Sequence, residues 1–254
     1  MERLGTVQLL DEDPTLLDVL EERERPAARR ALTATVFRAS PGTWTPSRLG
    51  VDDGHPFGLL VLDGLVLREV VVADTTCGEL VGPGELLRPW EGFGHRAPTP
   101  FEIDWTVIRE LRVARLDSDF ARVLAMWPAL IGAFVDRSVE RSHSLALHVA
   151  IHCIRRVDVS LLVLFAHFAD RFGRMTPSGI LIPIDLTQRD LGKLVGATRQ
   201  SISTALGKLA ERGSLVRRPD RGWLMQRDAP EEVQRMLARR RRSSLSERAE
   251  PSEL

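Results

Sequence analysis

The sequence predicts an α+β chain in which a glycine- and proline-punctuated antiparallel β-roll precedes a long helix and a small helical domain ending in a two-stranded hairpin. Three observations carry this expectation. Positions 32–116 hold short β-rich apolar runs broken by Gly and Pro. Positions 129–154 contain no proline, and their apolar residues recur at alternating three- and four-residue steps. Positions 186–226, LTQRDLGKLVGATRQSISTALGKLAERGSLVRRPDRGWLMQ, carry two short amphipathic stretches joined at a glycine.

Composition narrows the function classes. With 254 residues, 43% hydrophobic and 28% charged, the chain is long enough for two domains and too apolar for a disordered or fibrous protein. It lacks a run of about eighteen uncharged apolar residues, and acidic residues stand near the N-terminus where a secretory leader needs an apolar core. A cytoplasmic protein with no membrane partner is expected. Cys77 and Cys153 are its only cysteines, too few for a disulfide scaffold or a four-cysteine cluster. No Ser-His-Asp order, phosphate loop, paired catalytic carboxylates or zinc signature occurs, so the chain does not read as an enzyme. The formal charge is zero, but position 187 onward carries fifteen Lys plus Arg against nine Asp plus Glu. That end is therefore +6 and the rest −6, a distribution that attracts phosphate at one end and repels it elsewhere.

Along the chain, Leu9, Leu10, Leu16, Leu17 and Leu20 suggest short helices, with Asp13-Pro14 as a start. Strands are expected over 34–37, 58–62, 65–72 and 107–116, and Asp63-Gly64 between two apolar runs signals a hairpin. A roll of this size can enclose one small ligand. A short helix over 117–126 should break at Trp127-Pro128, where a longer one begins. On that helix Ile131, Val135, Leu145 and Val149 form a seam with Ser138, Ser142 and His152 interposed, which predicts pairing with a second copy. His148 and His152, four apart and beside Cys153, have a spacing that can hold a metal. No third ligand is visible, so they read as seam or surface histidines, with no metal or cofactor expected. A core helix should cover 159–172 and end at Gly173, followed by a turn at Thr176-Pro177-Ser178-Gly179 and a strand over 180–182. Residues 230–242 read as a helix ending in four arginines, then a solvated Ser/Glu-rich tail.

The segment 186–226 is the most specific. Thr187 can cap a first helix carrying Leu191, Leu194 and Val195 on one face, and Gly196 permits a sharp turn. Thr198 opens a second helix that buries Ile202, Ala205, Leu206 and Leu209. A strand from Ser214, the basic Arg217, Arg218 and Arg221 around Pro219-Asp220, and the return through Trp223-Leu224-Met225 form a wing. This is the winged helix-turn-helix pattern of DNA-binding proteins. Arg199, Gln200, Ser203 and Thr204 would read base edges, and Thr187, Arg189, Thr198, Lys208, Arg217, Arg218 and Arg221 would hold phosphates.

Leu186-Thr187-Gln188-Arg189-Asp190-Leu191-Gly192, leading into Val195-Gly196-Ala197-Thr198-Arg199-Gln200-Ser201-Ile202, resembles the CRP/FNR regulators. The resemblance implies a β-roll of the cyclic-nucleotide-binding type, a long central dimerisation helix and a C-terminal winged helix-turn-helix. Mapped onto this chain the parts are a sensory roll with N-terminal helices over 1–116, the helices over 117–155, the DNA-binding domain over 156–230 and a basic tail over 231–254. Arg199 inherits a guanine contact, while Gln200 and Thr204 replace the family's usual Glu and Arg, so the operator should differ beside its guanine. Leu60 to Val66 and Val81 to Leu87 resemble the roll's glycine-marked turns. The nucleotide cassette is degenerate: Gly84-Glu85 fits the preceding turn, and Arg96 is followed by Ala97-Pro98 without a hydroxyl residue. Trp90, Phe93, His95, Phe101 and Trp105 crowd the replacing segment, either filling the roll or lining a site for a different small-molecule effector. Gly84, Glu85, Trp90, Ser138, Arg141 and Ser142 are the candidate pocket, and Asp158 is the hinge. The implied partners are double-stranded DNA with a palindromic operator, a second copy of the chain and RNA polymerase. A ligand-independent regulator and a haem- or metal-dependent sensor are the alternative readings.

Overall fold

The computed structural model describes residues 1–46, 57–89, 101–229, 231 and 233. The chain divides into two compact units, Met1–Leu147 and His148–Leu254.

The first unit opens on a strand, β1 (Glu2–Gln8), where the leucine spacing had suggested only helices. It pairs antiparallel with β2 (Thr33–Ala39), from Glu2 opposite Arg38 to Gln8 opposite Thr33. As an edge strand with mostly exposed side chains it is held by backbone bonds and shows no apolar alternation. Helix α1 (Leu9–Glu12), a 3-10 turn (Pro14–Leu17) and helix α2 (Arg25–Ala31) follow. Their Leu9, Leu10, Leu16, Leu17 and Leu20 share one core with Phe120, Leu124, Trp127, Leu130 and Phe134.

The roll continues through β3 (Gly42–Thr43), β4 (Gly58–Val72), β5 (Thr75–Val81), β6 (Leu86–Leu87) and β7 (Glu102–Leu116). Among the described residues the strand order is β1-β2-β7-β4-β5, with β3 on β7 and β6 on β4. The expected hairpin at Asp63-Gly64 is absent. Both apolar runs belong to the single strand β4, which shifts register three times along β7 between Val61 and Val66. Gly64 has φ 97, and a Cβ there would lie 2.2 Å from the Glu110 carbonyl oxygen. Asp63 accepts the Gly64 N–H at 2.7 Å and an Arg109 N–H at 3.2 Å. The Asp-Gly pair thus makes a bulge in a long bent strand, a geometry whose local chemistry is that of a turn. Leu59, Val61, Val66, Val81, Val107 and Val113 fill the interior, with Trp44 and Trp105 edge to face at 5.7 Å.

Asp117 caps helix α3 (Ser118–Leu124) by accepting the Phe120 N–H at 3.1 Å, and Pro128 begins the 25-residue helix α4 (Pro128–His152). One face of α4 buries Leu130 and Phe134, while Val135 and Val139 are 54% and 47% exposed. Arg137, from α4, donates to Asp13 Oδ2 at 2.6 Å, to Thr15 Oγ1 at 2.8 Å and to the Gly84 carbonyl at 3.4 Å. Burial alone would raise the Asp13 carboxyl, but the bonds from Arg137 and Thr15 outweigh it and hold the group below its ordinary range. Arg137→Ala should therefore destabilise this unit by about 2–3 kcal/mol near pH 7, since it strands a largely buried carboxylate. A carboxyl whose folded value is depressed stabilises above its unfolded value and loses that effect as pH falls. In urea titrations the gap between wild type and variant should narrow as pH drops below about 4.

The second unit contains helix α5 (Val157–Phe172), strands β8 (Arg174–Thr176) and β9 (Gly179–Ile182), helices α6 (Gln188–Val195) and α7 (Arg199–Glu211), and strands β10 (Leu215–Arg217) and β11 (Trp223–Met225). The strands order as β10-β11-β9-β8. α5 is the core helix: Leu161, Leu164, Phe165 and Phe168 are fully buried, and Phe165 lies 4.7 Å from the Trp223 ring. The buried Ser160 hydroxyl faces the carbonyls of Ile151 and Ile154, at 3.3 and 3.1 Å, and satisfies the end of α4.

Candidate nucleic-acid interface

Local chemistry fixes the two helices that form the site. Thr187 Oγ1 accepts the Asp190 N–H at 3.2 Å, and Asp190 accepts the Thr187 N–H at 2.9 Å, a complete capping box at the start of α6. The Thr187 hydroxyl also donates to Asp190 at 2.6 Å. Gly196 ends α6 in the left-handed region, φ 67 and ψ 39. Two residues on, Thr198 Oγ1 accepts the Ser201 N–H at 3.2 Å and caps α7. α7 buries Ile202, Ala205 and Leu209, and Leu206 is half-buried at its margin. Arg199, Gln200, Ser203, Thr204 and Lys208 are all exposed. The first four lie at positions one, two, five and six of α7, on the face opposite the buried stripe. No acidic residue occupies the first turn of α7, so its partial positive charge is uncompensated there and reinforces Arg199.

The wing is less open than its composition implies. Arg217 stacks over Trp223 at 4.5 Å, pairs with Asp185 and donates to the Leu186 carbonyl at 3.3 Å. Arg221 reaches the same Asp185 at 3.3 Å, and Arg218 pairs with Asp220 at 3.2 Å. The Gly222 N–H and then Arg218 hold the Asp220 carboxyl below its ordinary range.

An exposed polar helix face led by arginine, behind a capped helix and a left-handed glycine, is a groove-reading geometry. Residues 159–231 match the model of the Crp-like helix-turn-helix domain. The C-terminal unit carries a Crp-like helix-turn-helix domain. Over 142 residues the chain is 29% identical to the CRP-like cAMP-activated global transcriptional regulator of Mycobacterium tuberculosis. That match covers 53% of this chain and 59% of the relative, so it spans less than two thirds of the relative's length. Among solved structures, a cyclic nucleotide-binding domain containing protein from Listeria monocytogenes superposes with a TM-score of 0.61 at 17% identity, covering 84% of this chain and 97% of that one. A mutant of CooA from Carboxydothermus hydrogenoformans gives a TM-score of 0.59 at 16% identity, covering 79% and 86%. The chain is similar to a CRP-like regulator over that stretch and shares the fold of these solved structures: antiparallel roll, long helix and C-terminal helix-turn-helix.

Sequence reading missed one residue on which the Crp-like domain is built. The His152 ring turns Nδ1 to the His148 carbonyl at 3.1 Å and Nε2 to the Lys193 carbonyl at 3.2 Å. Its Cδ2 lies 2.9 Å from where a Gly196 Cβ would stand. His152 is therefore seated beneath the helix-turn-helix turn, and both its nitrogens address backbone. His148 is buried and meets His167 edge to face at 5.6 Å. The i, i+4 spacing of His148 and His152 thus serves packing; among the described residues no group of three His, Cys, Asp or Glu side chains could hold a metal ion. Asp158, in the first turn of α5, pairs with Arg156 at 2.6 Å and approaches Arg212 at 3.7 Å. The Arg156 bond holds its carboxyl below the ordinary range.

The candidate pocket residues separate into two places. Ser138 and Ser142 line an open concavity of about 580 Å³ with Phe57, Leu86, Arg88 and Phe134. Each hydroxyl donates to the carbonyl four residues before it, at 3.0 Å. Arg141 points elsewhere, to Glu79 at 2.9 Å and Glu85 at 3.7 Å. Burial pushes the Glu79 carboxyl up, against the pull of Arg141 and Arg68. Gly84 and Glu85 form the turn beside this ion cluster, where Glu85 accepts the Gly82 N–H at 2.7 Å. Trp90, Phe93, His95 and Arg96 lie outside the described residues, as does most of the helix read over 230–242. Trp105 is buried in the roll, in keeping with a filled interior at that position.

Proposed function

We propose that this chain is a homodimeric, sequence-specific transcription regulator that acts in the cytoplasm, with no catalytic role. The observation that carries the reading is the exposed face of α7 within the Crp-like domain. Arg199 is suited to guanine O6 and N7, Gln200 to adenine N6 and N7, and Ser203 and Thr204 lie one turn further along. Arg189, Thr198 and Lys208 would hold flanking phosphates. Thr187 would do so less directly, because its hydroxyl is engaged by Asp190. Val135 and Val139 support pairing through α4: two exposed β-branched residues one turn apart are better covered than solvated. Among the described residues no helix is long and apolar enough to cross a membrane.

A small effector in the concavity of Phe57, Leu86, Arg88, Phe134, Ser138 and Ser142 would bias α4 and, through the Asp158 turn, the spacing of two recognition helices. Its lining is largely apolar with one guanidinium and two hydroxyls, which suits a mainly apolar ligand carrying one anionic group. RNA polymerase would be the partner through which bound protein changes transcription.

Anisotropy titration of labelled genomic duplexes against unlabelled competitor tests the DNA reading. Wild type should bind some fragments well above competitor, with log K falling linearly against log salt. Lys208→Ala should weaken every duplex alike and reduce that slope by about 1. Equal binding of wild type to all fragments and competitor would overturn the reading.

A further inference from the structure

Asp185 lies two residues before the cap of α6, and two of the three wing arginines converge on its carboxylate. Arg217 is fixed on three sides, by Asp185, by the Leu186 carbonyl at 3.3 Å and by the Trp223 ring at 4.5 Å. Arg221, in the left-handed region at φ 63, brings Nη1 to within 3.3 Å of the other carboxylate oxygen. Arg218 is matched separately by Asp220. Three guanidiniums therefore stand against two carboxylates, and the wing carries a net charge nearer +1 than +3. On the helices the pattern is the reverse: among the described residues no carboxylate pairs with Arg189, Arg199 or Lys208.

We infer that Asp185 is a positioning residue that limits the sequence-independent part of DNA affinity by holding Arg217 and Arg221 away from the phosphate backbone. The inference rests on the DNA-binding reading above. An exposed ion pair alone is weak, and a phosphate array could compete for its cation. Here the exchange is opposed twice. Arg217 would give up its seat on Trp223, and the released Asp185 carboxylate would itself face DNA phosphates. Sequence-independent binding grows with each phosphate a cation neutralises, by about 0.9 in the salt slope. Keeping two arginines on one acid leaves discrimination to α7 and lowers retention on unrelated DNA.

Asp185→Asn, which keeps the shape and removes the charge, tests this on a labelled random-sequence duplex titrated between about 50 and 300 mM KCl. The expected result is a slope steeper by about 2 and binding about sixtyfold tighter at 0.1 M, the effect of two added phosphate contacts. Arg217→Gln in the Asp185→Asn background should remove about half of that gain, while Arg217→Gln alone should leave the wild-type slope unchanged. An Asp185→Asn slope equal to or shallower than wild type would overturn the inference, because the acid would then be inert or would be aligning the arginines for phosphate. If Asp185→Asn does not fold, Arg221→Gln in the wild-type background decides: an unchanged slope supports the inference and a slope shallower by about 1 overturns it. Wild-type protein with no salt-dependent duplex binding would instead defeat the DNA-binding reading, and the inference with it.

Discussion

Gly196→Val is expected to destabilise the Crp-like domain by about 3 kcal/mol and to abolish DNA binding well below the wild-type melting temperature. Two separable costs add. A left-handed backbone costs a non-glycine residue about 1–2 kcal/mol, and a β-branched one more. The added side chain also meets the His152 ring, whose Cδ2 would stand 2.9 Å from the new Cβ; such overpacking costs about 1–3 kcal/mol. Against a typical domain stability of about 5–15 kcal/mol the loss is large. Gly196→Asn separates the two costs, because asparagine tolerates the backbone but keeps the clash. Adding His152→Ala to Gly196→Ala should recover only the steric share. Calorimetric melting of wild type and the four variants checks this, and equal melting temperatures for wild type and Gly196→Val would show that the turn is not the constrained element.

Arg199→Ala should remove about 1–3 kcal/mol of discrimination between operator and mismatched duplex while leaving the melting temperature unchanged. Arg199 is exposed at the first position of α7, and Thr198, not Arg199, caps the helix. Its loss should therefore be felt in sequence preference and not in folding. Competition titrations with duplexes altered one base pair at a time measure the effect. Retention of the same preference would mean that the bases are read by another part of α7 or not by α7.

The helix-turn-helix was legible because its determinants are local. Thr187 with Asp190, the left-handed Gly196, Thr198, and the Ile202, Ala205 and Leu209 stripe all act within a few residues of one another. The start of α4 and the start of α5 were legible within about two residues for the same reason, a proline at the one and a continuous apolar run at the other. What escaped depended on partners distant in sequence. Asp63-Gly64 has the chemistry of a turn, and only the pairing of β4 along β7 makes it a bulge. β1 has no periodicity because an exposed edge strand needs none. Arg141 was a pocket candidate through the family resemblance, yet its acid partners lie on the roll, Glu79 being 62 positions away. His152 read as a seam or surface histidine, whereas its ring answers to Lys193 and Gly196 across a gap of some forty residues. The wing arginines read as phosphate ligands by composition, and the acid that occupies two of them, Asp185, carries no motif that would mark it.

Base reading by the exposed face of α7 in a paired molecule is tested by selecting bound duplexes from a random-sequence library with the purified protein. The expected result is one enriched motif of two inverted half-sites, a guanine in each, with centres about one helical turn apart. Recovery of sequences with no common motif, at affinities equal to the starting library, would contradict it.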